Sequence, residues 1–344
     1  MTRRLPRSEK DLDELLSEPA DATVEALARA AGDIIVLGAG GKMGPSLARM
    51  ALRAVRRTGN VGRRVIAVSR FSSGSAEVML MEAGVETVRC DLLDAAAVAR
   101  LPDAPNVVFM AGQKFGTSDA ASRTWMLNVV VPAVCAERFA SSRIVAMSTG
   151  NVYPLVRVDG GGARETDPTG PVGEYAASCV GRERVFEYFA ATRGTRVAIT
   201  RLNYAIALRY GVLTDLATSI LQERPLSLAM SHVNVIWQGD ANNAILQLLP
   251  KAECPPLVVN VTGTEALSVR TLALELGRRL GRAPRFDGAE TGDALLSDTT
   301  RMRALLGSPR TSVETMLDSV AEWVREGRPL LGKPTHFETR DGAF

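Results

Sequence analysis

Histidine is nearly absent from this chain: His232 and His336 are the two among 344 residues, and their separation offers no zinc-type ligand set, so no metal is expected. Cysteine is also sparse. Cys90, Cys135, Cys179 and Cys254 show no CxxC spacing and, in a chain this long, read as reduced thiols rather than a disulfide frame. No run approaches the roughly 20 apolar residues of a membrane span. Residues 1–31 are charged and helix-patterned rather than signal-like, so a cytoplasmic, membrane-free location is expected. Forty-one basic against 38 acidic residues leave a net charge of +3, without a long basic run and with 5% aromatics, which argues against a nucleic-acid partner. Internal repeats and low-complexity tracts are missing too.

What is present is 46% hydrophobic content, enough for one large or two closely joined domains. Short β-branched runs at 33–37, 65–69, 86–90, 107–111, 143–148 and 196–201 read as strands. Their continuous apolar character suits burial on both faces of a parallel sheet. Helical spacing at 43–57, 121–139 and 174–191 falls between them. The expected fold class is therefore α/β, a doubly wound parallel sheet with a smaller C-terminal substrate-binding region. The predicted divisions are a helical extension (1–32), a sheet domain (33–201), a mainly substrate-binding region returning in part to the core (202–331) and a tail (332–344) that reads as a surface arm. Later elements are a helix from about Asp240, a strand at 257–261 and helices at 269–280 and 313–325. Ser8-Glu9-Lys10-Asp11 resembles an N-cap box within the extension, which either covers the sheet or helps to pair subunits.

Directly after the first strand stands Gly38-Ala39-Gly40-Gly41-Lys42-Met43-Gly44, with Pro45 in the first turn of the following helix. Between strand and helix, glycines permit a tight turn and close backbone approach to a pyrophosphate, which the helix amides then bind. This is the dinucleotide turn of a Rossmann-type sheet. At the end of the second strand the chain has Ser69-Arg70 where an NAD site usually has a carboxylate. Arg70 can pair with a 2′-phosphate, so NADP is expected as cofactor, with NAD the alternative.

The chain resembles the extended short-chain dehydrogenase/reductase family, which includes nucleotide-sugar epimerases and dehydratases. The resemblance rests on Gly38, Gly41 and Gly44; on Asp91 and Leu92 after the third strand; on Met110-Ala111-Gly112 with Gln113 after the fourth; on Asn128; and on Ser148-Thr149-Gly150-Asn151-Val152-Tyr153. Looser matches are Arg201-Leu202-Asn203, Asp240 and Asn260-Val261-Thr262-Gly263. It implies Thr149 as the hydroxyl that orients the substrate oxygen and Tyr175 as general acid/base, also touching the cofactor. It further implies a homodimer through the helices at 121–139 and 174–191.

One departure stands out: the family has a lysine four residues after its tyrosine, and this chain has Cys179. An ammonium there lowers the tyrosine pKa; a neutral thiol does not. The substitute cation is expected to be Lys114, ahead of Arg182, which lies seven residues from Tyr175 on the same helix face. Cys179 itself, as nucleophile or acid, is a third reading. Candidate substrate groups are Gln113, Asn151, Tyr153, Asn203, Tyr204, His232 and Asn234. Amides and hydroxyls suit a small polar substrate such as a sugar, sugar acid or polyol. The implied activity is NAD(P)-dependent oxidoreductase, epimerase or dehydratase chemistry on a carbohydrate-like alcohol or ketone. A catalytically silent dinucleotide sensor is the alternative.

Overall fold

Runs of Val, Ile and Ala without a polar alternation form strands with both faces covered. In the computed structural model, which describes residues 6–342 apart from 61, 73, 115, 117–119 and 334, the first and fourth strands are buried at every position. Residues 1–5, 343 and 344, the outermost parts of the expected extension and tail, lie outside the described residues.

Helices α1 (Glu9–Leu16) and α2 (Asp21–Arg29) precede β1 (Ile34–Leu37). The α/β succession then runs α3 (Gly44–Arg57), β2 (Val65–Ser69), α4 (Ser75–Glu82), β3 (Glu86–Arg89), α5 (Ala95–Ala99) and β4 (Asn106–Phe109). It continues with α6 (residues 121–138), β5 (Arg143–Thr149), α7 (Gly173–Arg193) and β6 (Arg196–Leu202). Beyond these lie α8 (Val212–Leu221), α9 (Gln238–Gln247), β7 (Leu257–Val261), α10 (Val269–Leu280), α11 (Thr300–Leu306) and α12 (Val313–Arg325). The numbered strands form one parallel sheet in the order β7-β6-β5-β4-β1-β2-β3. Strand order reverses between β1 and β4. Open α/β sheets bind ligands at that point, beyond the carboxyl ends of the strands.

One face of the sheet carries α3 and α9, the other α6 and α7, each over its own apolar cluster. A third cluster joins α8, α10 and α12 in the C-terminal region. The N-terminal helices cover the first helix layer. Every residue of α9 is buried, and its polar side chains pair with that cover: Asn242 Nδ2 donates to Leu16 O at 3.2 Å and Asn243 Oδ1 accepts from the Thr23 hydroxyl at 2.6 Å. Ser8 caps α1, its hydroxyl accepting from Asp11 N at 3.1 Å. Helices α4, α5 and α11 are too short to show a clear 3.6-residue rhythm, and the sequence reading missed them; it also passed over α8, although that helix buries Val212, Leu213, Leu216, Ala217 and Ile220 on one face.

The tail differs from the surface arm expected of it. Phe337 is 6% exposed within the third cluster, because the segment folds back over the carboxyl ends of the strands. Among the described residues no helix is long and apolar enough to cross a membrane.

Candidate active site

The β1–α3 turn is shaped by space. Gly38 has φ +91, and a Cβ there would meet Ala111 N at 2.6 Å, since β1 and β4 end side by side. At Gly44 a Cβ would run into Ala39 O, so α3 starts flush against the turn. Gly41 is different: nothing lies closer than Gly38 O at 3.4 Å, and it opens onto the cleft. The first turn of α3 has no side-chain cap and no acidic residue. Its amides and the positive end of the helix dipole are thus left for an anion. Gly40 packs against Ser69, whose hydroxyl a Cβ would meet at 2.6 Å. Arg70, exposed, and Asp91 follow the ends of the neighbouring strands β2 and β3, tied by Cys90 N donating to Ser69 O at 3.0 Å. Asp91 accepts from Leu93 N at 3.1 Å, and Leu92 beside it is buried.

The loop after β4 is clamped from α6. That helix is π-helical over Met126–Val130, which carries Asn128 at its centre. Asn128 Oδ1 accepts from Gln113 N at 2.9 Å and Nδ2 donates to Gln113 O at 3.0 Å. Arg182 on α7 completes the clamp, donating to Asn128 Oδ1 at 2.7 Å and to Met147 O at 2.9 Å. Gly112 is a glycine because a Cβ there would collide with Arg182 Nη2. Asn128, fully buried, therefore positions the loop rather than facing the cleft.

At the end of β5, Thr149 Oγ1 donates to Asn151 Oδ1 at 2.9 Å and accepts from Asn151 N. Tyr175, in the first turn of α7, hydrogen-bonds Thr149 and the Cys179 thiol. Burial pushes the Tyr175 pKa well up, and Cys179 adds to the shift, whereas Arg182 and the Thr149 bond oppose it. The Cys179 thiol is fully buried and is pushed up by that burial, against the opposing pull of Arg182. It is a neutral group, unsuited to supply charge or nucleophilicity. Lys114 Nζ stands 6.0 Å from the Tyr175 ring centroid, and burial lowers its pKa to about 8. Lys42 reaches across the cleft from the glycine turn, donating to Ala205 O at 2.9 Å and lying 3.8 Å from the Tyr210 ring centroid. Burial, with Lys114 adding to it, holds the Lys42 ammonium well below its ordinary value, while Asp215 pulls the other way.

Thr149, Asn151, Tyr175, Lys114, Lys42 and Gln113 share one cleft of about 270 Å³, which also takes in Asn203 and Tyr204; the buried Cys179 does not line it. Tyr204 sits at φ +40, a strained conformation for a bulky residue, and its hydroxyl donates to Phe337 O at 3.3 Å. Three expected substrate residues do not line this cleft. Tyr153 is 2% exposed and belongs to a buried network, donating to Asn260 and accepting from Arg201 at 2.7 Å. His232 pairs with Ser268 in a short two-stranded ladder, its Nδ1 beside the Ser231 hydroxyl. Asn234 is used up in structure, donating to Glu265 O and accepting from Ser297 N.

Sequence reasoning missed four contributors. Tyr210 and Thr335 line the cleft, with Asp215 behind Thr335. The fourth is Glu183, which accepts from the Ser148 hydroxyl at 2.5 Å and from Arg201 at 2.7 Å, both charges buried. Burial works against the Arg201 charge, and Glu183 more than offsets it. This pair fixes Ser148 and so the strand end that carries Thr149. A glutamate on the apolar side of α7 and an arginine in a core strand were the available signal; Thr335 left none.

Compared with known proteins, residues 34–259 match the NAD dependent epimerase/dehydratase family. No curated protein matches the sequence. Among solved structures, UDP-glucose 4-epimerase from Thermotoga maritima, with UDP-glucose, is similar at TM-score 0.69 and 20% identity, covering 86% of this chain and 99% of that one. UDP-glucuronic acid 4-epimerase from Bacillus cereus, with UDP-glucuronic acid and NAD, gives 0.72 and 17%, covering 86% and 99%. UDP-glucose 4-epimerase from Thermus thermophilus, with NAD, gives 0.69 and 21%, covering 85% and 99%.

Proposed function

Because the chain belongs to the NAD dependent epimerase/dehydratase family, we propose that it performs redox chemistry at a hydroxyl-bearing carbon of a carbohydrate-like substrate, with a nicotinamide dinucleotide held on the β1–α3 turn. The observation that carries this reading is the shared cleft: the open Gly41, the Thr149–Tyr175 pair and Lys114 face one space. The dinucleotide fits the turn, since Gly38 and Gly44 leave no room for a Cβ and the α3 amides lack a cap. When bound, a nicotinamide accepts or returns a hydride.

The chain's own residues handle the proton and the oxygen. Thr149 orients the substrate hydroxyl, and Tyr175 takes its proton as the carbon is oxidised or returns it on reduction. Burial makes the Tyr175 phenol reluctant to ionise, so a nearby positive charge is needed. Lys114 is placed to supply it. Arg182 is the other candidate: bonded to the neutral oxygens of Asn128 and Met147 it keeps its charge, which already opposes the upward shift of Tyr175, but its guanidinium is held in place by those bonds.

NAD is the preferred assignment for the cofactor. The comparison structures that name a dinucleotide name NAD, and the NADP preference expected from Arg70 draws no support from them. A fluorescence titration with NADH and NADPH checks this, and tighter NADPH binding would restore the role expected of Arg70. We also propose a homodimer through α6 and α7, whose outer surface exposes Trp125, Met126, Val130 and Tyr188. Light scattering would return a monomer mass if that pairing is wrong.

Tyr175→Phe is the decisive variant for the chemistry. With a substrate found by screening sugars and sugar acids, turnover falls about 10²- to 10⁴-fold while NADH affinity changes little. Retained turnover would remove Tyr175 from the mechanism, and NADH binding without turnover on any substrate would favour a sensor.

A further inference from the structure

The segment from Thr335 to Gly342 crosses the substrate end of the cleft as a strap. Thr335 donates twice to Asp215 Oδ2, from its amide at 2.8 Å and its hydroxyl at 2.6 Å. Phe337 is buried in the C-terminal cluster and its carbonyl accepts from Tyr204. Arg340 holds the C-terminal region, donating to Asp293 Oδ1 at 2.8 Å and to Ala229 O and Thr291 Oγ1 at 3.0 Å. At the far end Gly342 lies against the start of α7, where a Cβ would run into Val172 O. The strap thus ties the C-terminal region to the helix that carries Tyr175.

It is also a partition. Thr335 faces the 270 Å³ cleft, whereas its partner Asp215, with Phe337 and Glu338, lines a second cavity of about 560 Å³ on the other side. The inner space is below the roughly 300–1,000 Å³ typical of pockets for drug-sized ligands, and the nicotinamide end must share it. A nucleoside diphosphate, moreover, brings two phosphates that proteins commonly meet with arginine. Among the described lining residues of the inner cleft the cations are Arg182, engaged with Asn128 and Met147, Lys42, bonded to Ala205 O, and Lys114, beside Tyr175 at the nicotinamide end. Arg209, Arg224 and Lys333 line the outer cavity.

We propose that this strap sets the substrate class: by walling the outer cavity from the inner one, it excludes nucleotide-linked sugars and leaves a site for a free monosaccharide or sugar acid. The inference rests on the dinucleotide reading above. It separates this chain from the similar epimerases whose structures contain UDP-sugars.

The test uses the full chain loaded with NADH, with UDP-glucose as probe and the fluorescence of bound NADH as readout. Arg340→Ala removes the anchor, and Gly342→Val expels the strap end sterically. Hydrogen exchange over 335–342 reports release in each. The unmodified protein is expected to bind NADH and to ignore millimolar UDP-glucose. Both variants are expected to exchange faster over the strap and to gain at least about tenfold in UDP-glucose affinity. Equal binding of UDP-glucose by the unmodified protein, or continued exclusion by variants whose strap is released, overturns the proposal. Unchanged exchange in both variants overturns the anchoring it depends on. If the unmodified protein fails to bind NADH, the dinucleotide reading itself falls, and this inference with it.

Discussion

At the β1–α3 turn the functional groups are backbone amides and the residues are dictated by space, whereas around Tyr175 they are side chains whose charge can come from several parts of the fold. Gly38 and Gly44 have no alternative, because a Cβ would enter Ala111 or Ala39. The position of Cys179 does have alternatives. It is fully buried beside Arg182, and Lys114 on the loop after β4 stands 6.0 Å from the Tyr175 ring centroid. Geometry of backbone approach is thus strict, while the positive charge near Tyr175 has two candidate sources in the fold, Lys114 and Arg182.

The sharpest way to break this contrast is at the glycines. Gly44→Val forces a branched side chain into Ala39 O, an overpacking that costs about 1–3 kcal/mol or more. NADH binding is expected to vanish, with a lowered Tm. Gly41→Ala, which has open space, keeps its Tm and only weakens NADH binding. Equal effects at the two positions would mean that space is not what dictates the turn.

Smaller, and aimed at the other end, is Lys114→Ala. If Lys114 supplies the charge, turnover falls roughly 10- to 100-fold. The pH profile carries a sign as well. The ammonium with pKa about 8 is present below that pH and lost above it, so the unmodified enzyme loses activity as pH rises through about 8. The variant lacks that limb. An unchanged profile in Lys114→Ala, together with a collapse in Arg182→Ala at constant Tm, would move the charge to Arg182.

The smallest expected effect is none. A thiol-alkylating reagent at neutral pH should modify the exposed Cys254 and leave turnover intact, because the Cys179 thiol is buried and its pKa is raised. Loss of turnover on modification of Cys179, located by mass spectrometry, would give the thiol a chemical role.

Much of the sheet was legible because buried parallel strands leave uninterrupted Val and Ile runs, and because the glycine turn joins a strand to a helix at a fixed place. The Thr149–Tyr175 pair was legible through the family resemblance. The substrate side was legible in part: Gln113, Asn151, Asn203 and Tyr204 line the cleft, whereas Tyr153, His232 and Asn234 do not. Tyr153, His232 and Asn234 are polar residues satisfied within the core or the C-terminal ladders, and a polar side chain bonded to its neighbours looks in sequence like one awaiting a ligand. Thr335 comes to the cleft from a segment more than a hundred residues away from Asp215, with no periodic pattern to announce it. Long-range closure of that kind leaves no local signature.

The most direct measurement is a crystal structure of the chain soaked with NAD. The account predicts the diphosphate on the amides that open α3, next to Gly41, and the nicotinamide facing Thr149 and Tyr175. A dinucleotide bound elsewhere, or a nicotinamide turned away from Tyr175, would contradict it.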